Sequence, residues 1–256
     1  MFATLKNAFK VKDIRNKLLF TLAVLLVYRL GAQISVPGIN AAALTKIGST
    51  GLISILDTVS GGGLSNYSIF AMGVSPYITA QIVIQLLQMD IVPKFVEWSK
   101  QGEVGRRKLN QWTRYLTIVL GLFQAIGITA GFQALSQYGL VKNPSVSTFI
   151  VLGIILTGGT MLLTWMGEQI TDKGLGNGIS LIIFAGIVSR LPSGVREIWT
   201  DQITNNDPAD RWQGILFMVA LLALIVIVVT FVTWFQQANR KIPIQYTRRV
   251  TSAGDN

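Results

Sequence analysis

Few residues in this chain could make or break a bond. There is no His and no Cys among its 256 residues, which removes the imidazole base, the commonest metal ligand, the thiolate nucleophile and any disulfide. Carboxylates held inside a membrane would point to proton or ion coupling, yet Asp57, Asp90 and Glu168 fall at the edges of apolar runs or between them, and none pairs with another. The run Gly174-Leu175-Gly176-Asn177-Gly178-Ile179-Ser180 imitates a phosphate cradle, but it lacks the preceding strand and the Lys-Ser/Thr pair of a P-loop. It reads as a tight turn into a helix whose backbone packs closely on a neighbour, an approach that small residues permit. No catalytic residue, metal or cofactor is expected.

What the chain offers instead is amides, glycines and cations. Gln81, Gln85 and Gln88 are spaced by four and three, so they share one helix face, and amides facing lipid would be unsatisfied. They face protein as interhelical hydrogen-bonding glue, or they line a wet path. Leu52, Ile53, Ile55, Leu56 and Val59 recur at helical spacing and run into Gly61-Gly62-Gly63. This is a short amphipathic helix, either lying on a membrane surface or folding back into a cavity on a glycine hinge. The 22 Lys and Arg against 12 Asp and Glu leave a net charge of +10. Nucleic acid would need those cations gathered on one solvated face near aromatic or groove-reading elements, so their positions decide.

The elements that must carry these residues are membrane helices. Charged residues make up 13% of the chain and apolar ones 50%, against about 25% charged in an ordinary soluble domain. A bilayer core needs roughly 20 apolar helical residues, and 69–89, 115–135, 146–167 and 212–237 contain no charge at all. Residues 18–36 qualify despite Arg29, which lies past the middle of the run. The stretch Gly174 to Ser189, uncharged but short and opening on the glycine-rich turn, gives a fifth span at 179–191, for six crossings in all. Between them lie a basic arm (1–17), an external segment (37–68, with a helix at about 52–60), a basic loop (90–114), an external loop (136–145), a turn (168–178), a second external loop (192–211) and a tail (238–256). Sixteen of the 22 basic residues fall on the arm, the basic loop, the turn and the tail, which makes that side, and both ends, cytoplasmic. The basic excess is thus mostly an orientation signal, and the nucleic-acid reading weakens. No cleavable signal peptide or solenoid repeat is evident.

Two long stretches go beyond composition. FAMGVSPYITAQIVIQLL (Phe70 to Leu87) and WMGEQITDKGLGNGISLII (Trp165 to Ile183) closely resemble the signature segments of the SecY family, the channel subunits of the Sec protein translocon. The resemblance extends to VPGIN at Val36, SGGGLSNYSIFAMG at Ser60, GRRK at Gly105 and NRKIPIQYTRRV at Asn239. It covers essentially the whole chain in order. It implies an all-α polytopic helical bundle, here the first half of a pseudo-symmetric ten-helix fold plus a sixth helix. The family pattern continues into four further helices beyond Asn256, so the pore and gate formed by this chain alone are incomplete.

By motif position, the resemblance places Val74, Ile78, Ile179 and Ile183 in the aliphatic ring that seals the pore. Each pair is spaced to face one axis, and an apolar ring resists wetting yet yields around an extended polypeptide. The resemblance makes the 52–60 helix a plug, comprising Leu52, Ile53, Ile55, Leu56, Asp57 and Val59, with Gly61, Gly62 and Gly63 as its hinge. Thr79, Ile82 and Gln85, with Gln124, resemble the lateral gate. Arg106, Arg107 and Lys108, with Arg240, Lys241, Arg248 and Arg249, resemble the surface that docks the motor ATPase SecA or the ribosome, although such loops also meet anionic lipid. SecE and SecG are the implied companion subunits, and nucleic acid enters only through the ribosome. The implied function is passage of unfolded secretory preproteins across, and membrane proteins sideways into, the bacterial plasma membrane, with no bond chemistry of its own. Half of a small-solute transporter would share broken helices and midplane amides but would want a midplane charge pair. An intramembrane protease would want nucleophiles that are missing.

Overall fold

The computed structural model describes residues 11–40, 62–89, 91–135, 141, 144–200, 204 and 211–239. Seven helices are described: α1 (Lys12–Gly31), α2 (Ser75–Leu87), α3 (Pro93–Lys100), α4 (Glu103–Leu135), α5 (Val146–Lys173), α6 (Gly178–Trp199) and α7 (Arg211–Gln236). The chain forms two units divided between Pro192 and Ser193, inside α6, where Pro192 withdraws a backbone donor from the helix. In the first unit α4 packs against α2, α3 and α5, and α5 also receives α1. The second unit carries α7, whose apolar side chains are exposed along its length.

Several helices depart from the spans expected above. Only Ser75–Leu87 of 69–89 is helical, about 20 Å of helix, because Gly73 has φ +57 and Pro76 opens the first turn. Residues 62–74 form a block of turns instead, closed by Ser68 N–H to Gly63 O (2.7 Å) and Gly73 N–H to Phe70 O (2.8 Å). The third helix starts at Glu103 rather than 115, just after Gly102 turns the chain at φ +65. Arg106, Arg107 and Lys108 therefore ride on a helix rather than a loop, and α3 fills part of the rest. The fourth helix runs on to Lys173, carrying Glu168 and Asp172 with it, and the fifth reaches Trp199. Among the described residues, four helices are long and apolar enough to cross a membrane: Glu103–Ala134, Val146–Lys173, Gly178–Trp199 and Trp212–Gln236. The protein is a multi-pass membrane protein.

Threonine lets α4 and α5 pack with most buried hydroxyls satisfied inside their own helices; the buried Thr160 Oγ1 of α5 is the exception, with no hydrogen-bond partner among the described residues. Thr113, Thr117 and Thr129 on α4, and Thr157 and Thr164 on α5, are buried. Each donates to the carbonyl one turn back, at 2.6 to 2.9 Å, so its polar atom is satisfied within its own helix. Two apolar clusters then form. One joins Val36, Leu64, Tyr67 and Met72 to Ala125, Phe132, Leu152 and Leu156; the other joins Tyr28, Phe70 and Val74 to Leu163, Met166, Ile170 and Ile182.

Candidate functional site

The second apolar cluster brings together the four ring candidates. Val74 is buried at the N-cap of α2, and Ile78 sits one turn on, its N–H donating to Val74 O at 3.1 Å. Ile179 and Ile183 approach from α6, and Ile78, Ile179 and Ile183 pack half-buried on the cluster around Leu163 and Met166. The α6 register is set by the glycine-rich turn. Asn177 Oδ1 accepts Ser180 N–H at 3.2 Å, an N-cap, while Gly178 N–H donates to Thr171 Oγ1 at 2.9 Å. Leu175 N–H reaches Thr21 Oγ1 of α1 at 3.2 Å. A Cβ on Gly178 would lie 2.0 Å from Gly167 O, so α5 and α6 meet this closely only because neither residue has a side chain.

Two cavities flank this aliphatic group. An inner one of about 600 Å³ is lined by Tyr77, Gln81, Arg106, Asn110, Arg114, Glu168, Thr171, Asp172, Asn177 and Ser180, besides Ile78, Ile179 and Ile183. An outer one of about 330 Å³ is lined by Leu64, Ala71, Met72, Val74, Ile128 and Phe132, with Gly73, Ser75, Thr79, Gln124, Gly131, Ile78 and Ile183. Ile78 and Ile183 are the two residues common to both linings.

Charge is confined to the inner wall. Arg114 grips Glu168 with both arms, Nε to Oε1 at 3.2 Å and Nη2 to Oε2, tying α4 to α5 at the cavity wall. The pair is half to three-quarters shielded, at 50% and 25% exposure, so its contribution stays within about 1 kcal/mol. Sequence spacing could not reveal it, since the partners are 54 residues apart. Tyr67 was also missed. It is fully buried, at φ +42, with its hydroxyl bonded to Thr129 Oγ1. Burial pushes its phenol up to about 12 against the opposing pull of the Thr129 bond. Tyr67 O also accepts Val36 N–H at 3.0 Å, pinning the turn block to the stretch after α1.

The remaining candidates separate. Thr79 and Gln124 share the outer cavity wall, whereas Ile82 and Gln85 are exposed and line neither cavity. Gln81 lines the inner cavity, and Gln85 and Gln88 do not. Arg106, Arg107 and Lys108 are exposed near the start of α4; Arg106 also lines the inner cavity, and Lys108 Nζ lies 5.7 Å from the Trp98 ring centroid. Gly62 and Gly63 belong to the turn block. Leu52, Ile53, Ile55, Leu56, Asp57, Val59 and Gly61, with Arg240, Lys241, Arg248 and Arg249, lie outside the described residues.

Comparison with known proteins agrees with this architecture. The sequence profile described as SecY matches residues 68–256. A protein translocase subunit SecY of Lactobacillus kefiranofaciens is 66% identical over 254 residues, 99% of this chain and 59% of the relative. The corresponding subunit of Bacillus subtilis is 53% identical over 97% of this chain and 57% of its own length. The chain therefore spans somewhat over half the length of these relatives. Among solved structures, Sec61 in the canine ribosome-channel complex shares the fold at TM-score 0.57 and 20% identity, covering 91% of this chain and 51% of that one. A structure described as a protein conducting channel aligns at TM-score 0.50 and 22% identity over 75% of this chain and 39% of its own. Turn, spans and aliphatic group thus occur in a sequence more than half identical to translocase subunits along nearly its whole length, and the chain belongs to the SecY family.

Proposed function

We propose that this chain supplies one half of a passive protein-conducting channel, together with the sixth helix, and that an unfolded polypeptide passes between its two cavities. The observation that carries the reading is that a charged cavity and an apolar cavity share only Ile78 and Ile183 in their linings. Val74, Ile78, Ile179 and Ile183 form the seal on this side of the pore. Apolar side chains suit that task, since they disfavour a continuous water column and make no directional bonds that a passing chain would have to break. The chain crosses the bacterial plasma membrane six times with both ends cytoplasmic, so the charged cavity opens to the cytoplasm.

The 52–60 segment acts as the plug that closes the resting channel, with Gly61, Gly62 and Gly63 as its hinge. Thr79, Ile82, Gln85 and Gln124 form this chain's part of the seam through which signal sequences leave for lipid; polar side chains make that seam easier to part than Leu packing would. The subunit performs no bond chemistry, so a motor of the SecA type or a translating ribosome supplies the push. Arg106, Arg107, Lys108, Arg240, Lys241, Arg248 and Arg249 form its docking face. SecE- and SecG-like subunits and anionic lipid complete the assembly. The test is a full-length channel in proteoliposomes with Ile78 and Ile183 both replaced by Gly. Small-ion leak without substrate should rise by roughly tenfold or more, the effect of losing about 1.4 kcal/mol of closed-state preference. Unchanged leak sinks the ring assignment.

A further inference from the structure

The ion pair on the inner wall sits at a place that sealing does not explain. Arg106, Asn110 and Arg114 follow one another at four-residue spacing on α4, so one face of that helix lines the inner cavity. Glu168 and Asp172 line it from α5, again four apart. Arg114 and Glu168 are the innermost charges on their helices, because 115–135 and 146–167 carry none. These two are bonded to each other through both guanidinium arms. Arg106 and Asp172, two turns and one turn further out, form no ion pair among the described residues. Charge is thus cancelled only at the inner limit of each charged run, in the cavity that Ile78, Ile179 and Ile183 also line. Nearness to those apolar side chains lowers the local dielectric and makes a bare charge more adhesive. Both partners stay within reach of the cavity, at 50% and 25% exposure.

We propose that the Arg114–Glu168 pair is a specificity-determining element for passage: by cancelling each other, the two side chains keep the inner cavity from retaining charged residues of a passing chain, whichever their sign. The inference rests on the channel reading above. A carboxylate on the passing chain takes Arg114 only by displacing Glu168, and a cation takes Glu168 only by displacing Arg114. Each new contact replaces an equivalent one, so neither sign is held. Removing one partner ends that exchange. Glu168 alone becomes a trap for Lys and Arg, and Arg114 alone becomes a trap for Asp and Glu, whose carboxylates its planar fork matches with two parallel bonds. A mere staple between α4 and α5 would be blind to the sign of the passing charge.

The test follows motor-driven import of a preprotein into proteoliposomes carrying the full-length channel, the preprotein bearing a short mid-chain window of Lys, Glu or Ser. Arg114→Gln should slow the Lys-window client roughly two- to fivefold, the range of an exposed ion pair, and leave the other two at the wild-type rate. Glu168→Gln should slow the Glu-window client alone by a similar factor. The double variant Arg114→Gln/Glu168→Gln should return all three to the wild-type rate, which loss of a staple would not do. Equal slowing of the three clients, unchanged rates throughout, or no recovery in the double variant each overturn the inference. Asn110→Cys, between the two cations of α4, should form a disulfide with a cysteine in a client stalled midway. Without that crosslink the passage reading itself fails; with it, a result blind to client charge removes the role of the pair alone.

Discussion

The inner and outer cavities differ in how they treat charge, although both draw on α2 and α4 and adjoin the same two isoleucines. The inner wall carries Arg106, Arg114, Glu168 and Asp172, while the outer wall carries no ionisable side chain. The inner wall draws on the charged N-terminal part of α4 and the charged C-terminal end of α5, and the outer wall draws on the uncharged C-terminal part of α4 and on the 62–74 turn block. The difference in charge between the two walls therefore needs no dedicated device. It follows from where the apolar stretch of each helix begins.

The same carboxylate placed on either wall would break that comparison or confirm it. Met72→Asp buries an unpaired charge beside Leu64 and Phe132 and should destabilise the protein by several kcal/mol, or be tolerated only in its protonated form. Asn110→Asp on the inner wall should stay within about 0.5 kcal/mol. Equal effects in detergent unfolding would show that the walls do not differ. Gly178→Val attacks the divider itself. It drives a side chain into Gly167 O and should lower folded yield sharply, by about 3 kcal/mol or more as overpacking. A normal yield would mean that α5 and α6 can part at no loss.

Smaller effects sharpen the contrast. Tyr67→Phe should weaken the outer block by about 1 kcal/mol, since Thr129 keeps its bond to Ala125 O at 2.6 Å. Tyr67 holds its proton more tightly folded, at about 12 against the ordinary 10.0. Its stabilisation is present in full below pH 10 and fades as pH climbs toward 12, so the Phe variant should lose less stability over that window. An identical alkaline slope in the two proteins would refute the assignment. Arg114→Gln should change stability by no more than about 1 kcal/mol at low salt and by less at high salt; a larger, salt-insensitive loss would mean that the inner wall is not solvated.

Much of this was legible in the sequence because it was local. The uncharged runs, the glycine-rich turn and the i, i+4 spacing of Val74 with Ile78 and of Ile179 with Ile183 depend only on neighbours in the chain. Helix limits were less legible. Membrane-length reasoning stops a span at the first charge, whereas helix propensity does not, so α4 begins at Glu103 and α5 continues through Glu168 and Asp172. The 69–74 stretch is apolar enough for a span, yet Gly73 and Pro76 hold it as turns. The Arg114–Glu168 bridge and the Tyr67–Thr129 bond join residues far apart in the chain, and no periodicity encodes them. Of the residues expected at a lateral gate, Thr79 and Gln124 line the same cavity from α2 and α4, while Ile82 and Gln85 line neither cavity.

Helix α4 runs unbroken for 33 residues, from just before the exposed Arg106–Lys108 cluster to beyond Thr129. At 1.5 Å per residue it is a rod about 50 Å long. Turned about one end by 5°, such a rod displaces the other by about 4 Å. A small tilt about the basic end would thus be amplified at the Thr129 hydroxyl that holds Tyr67, near the opposite end of the helix.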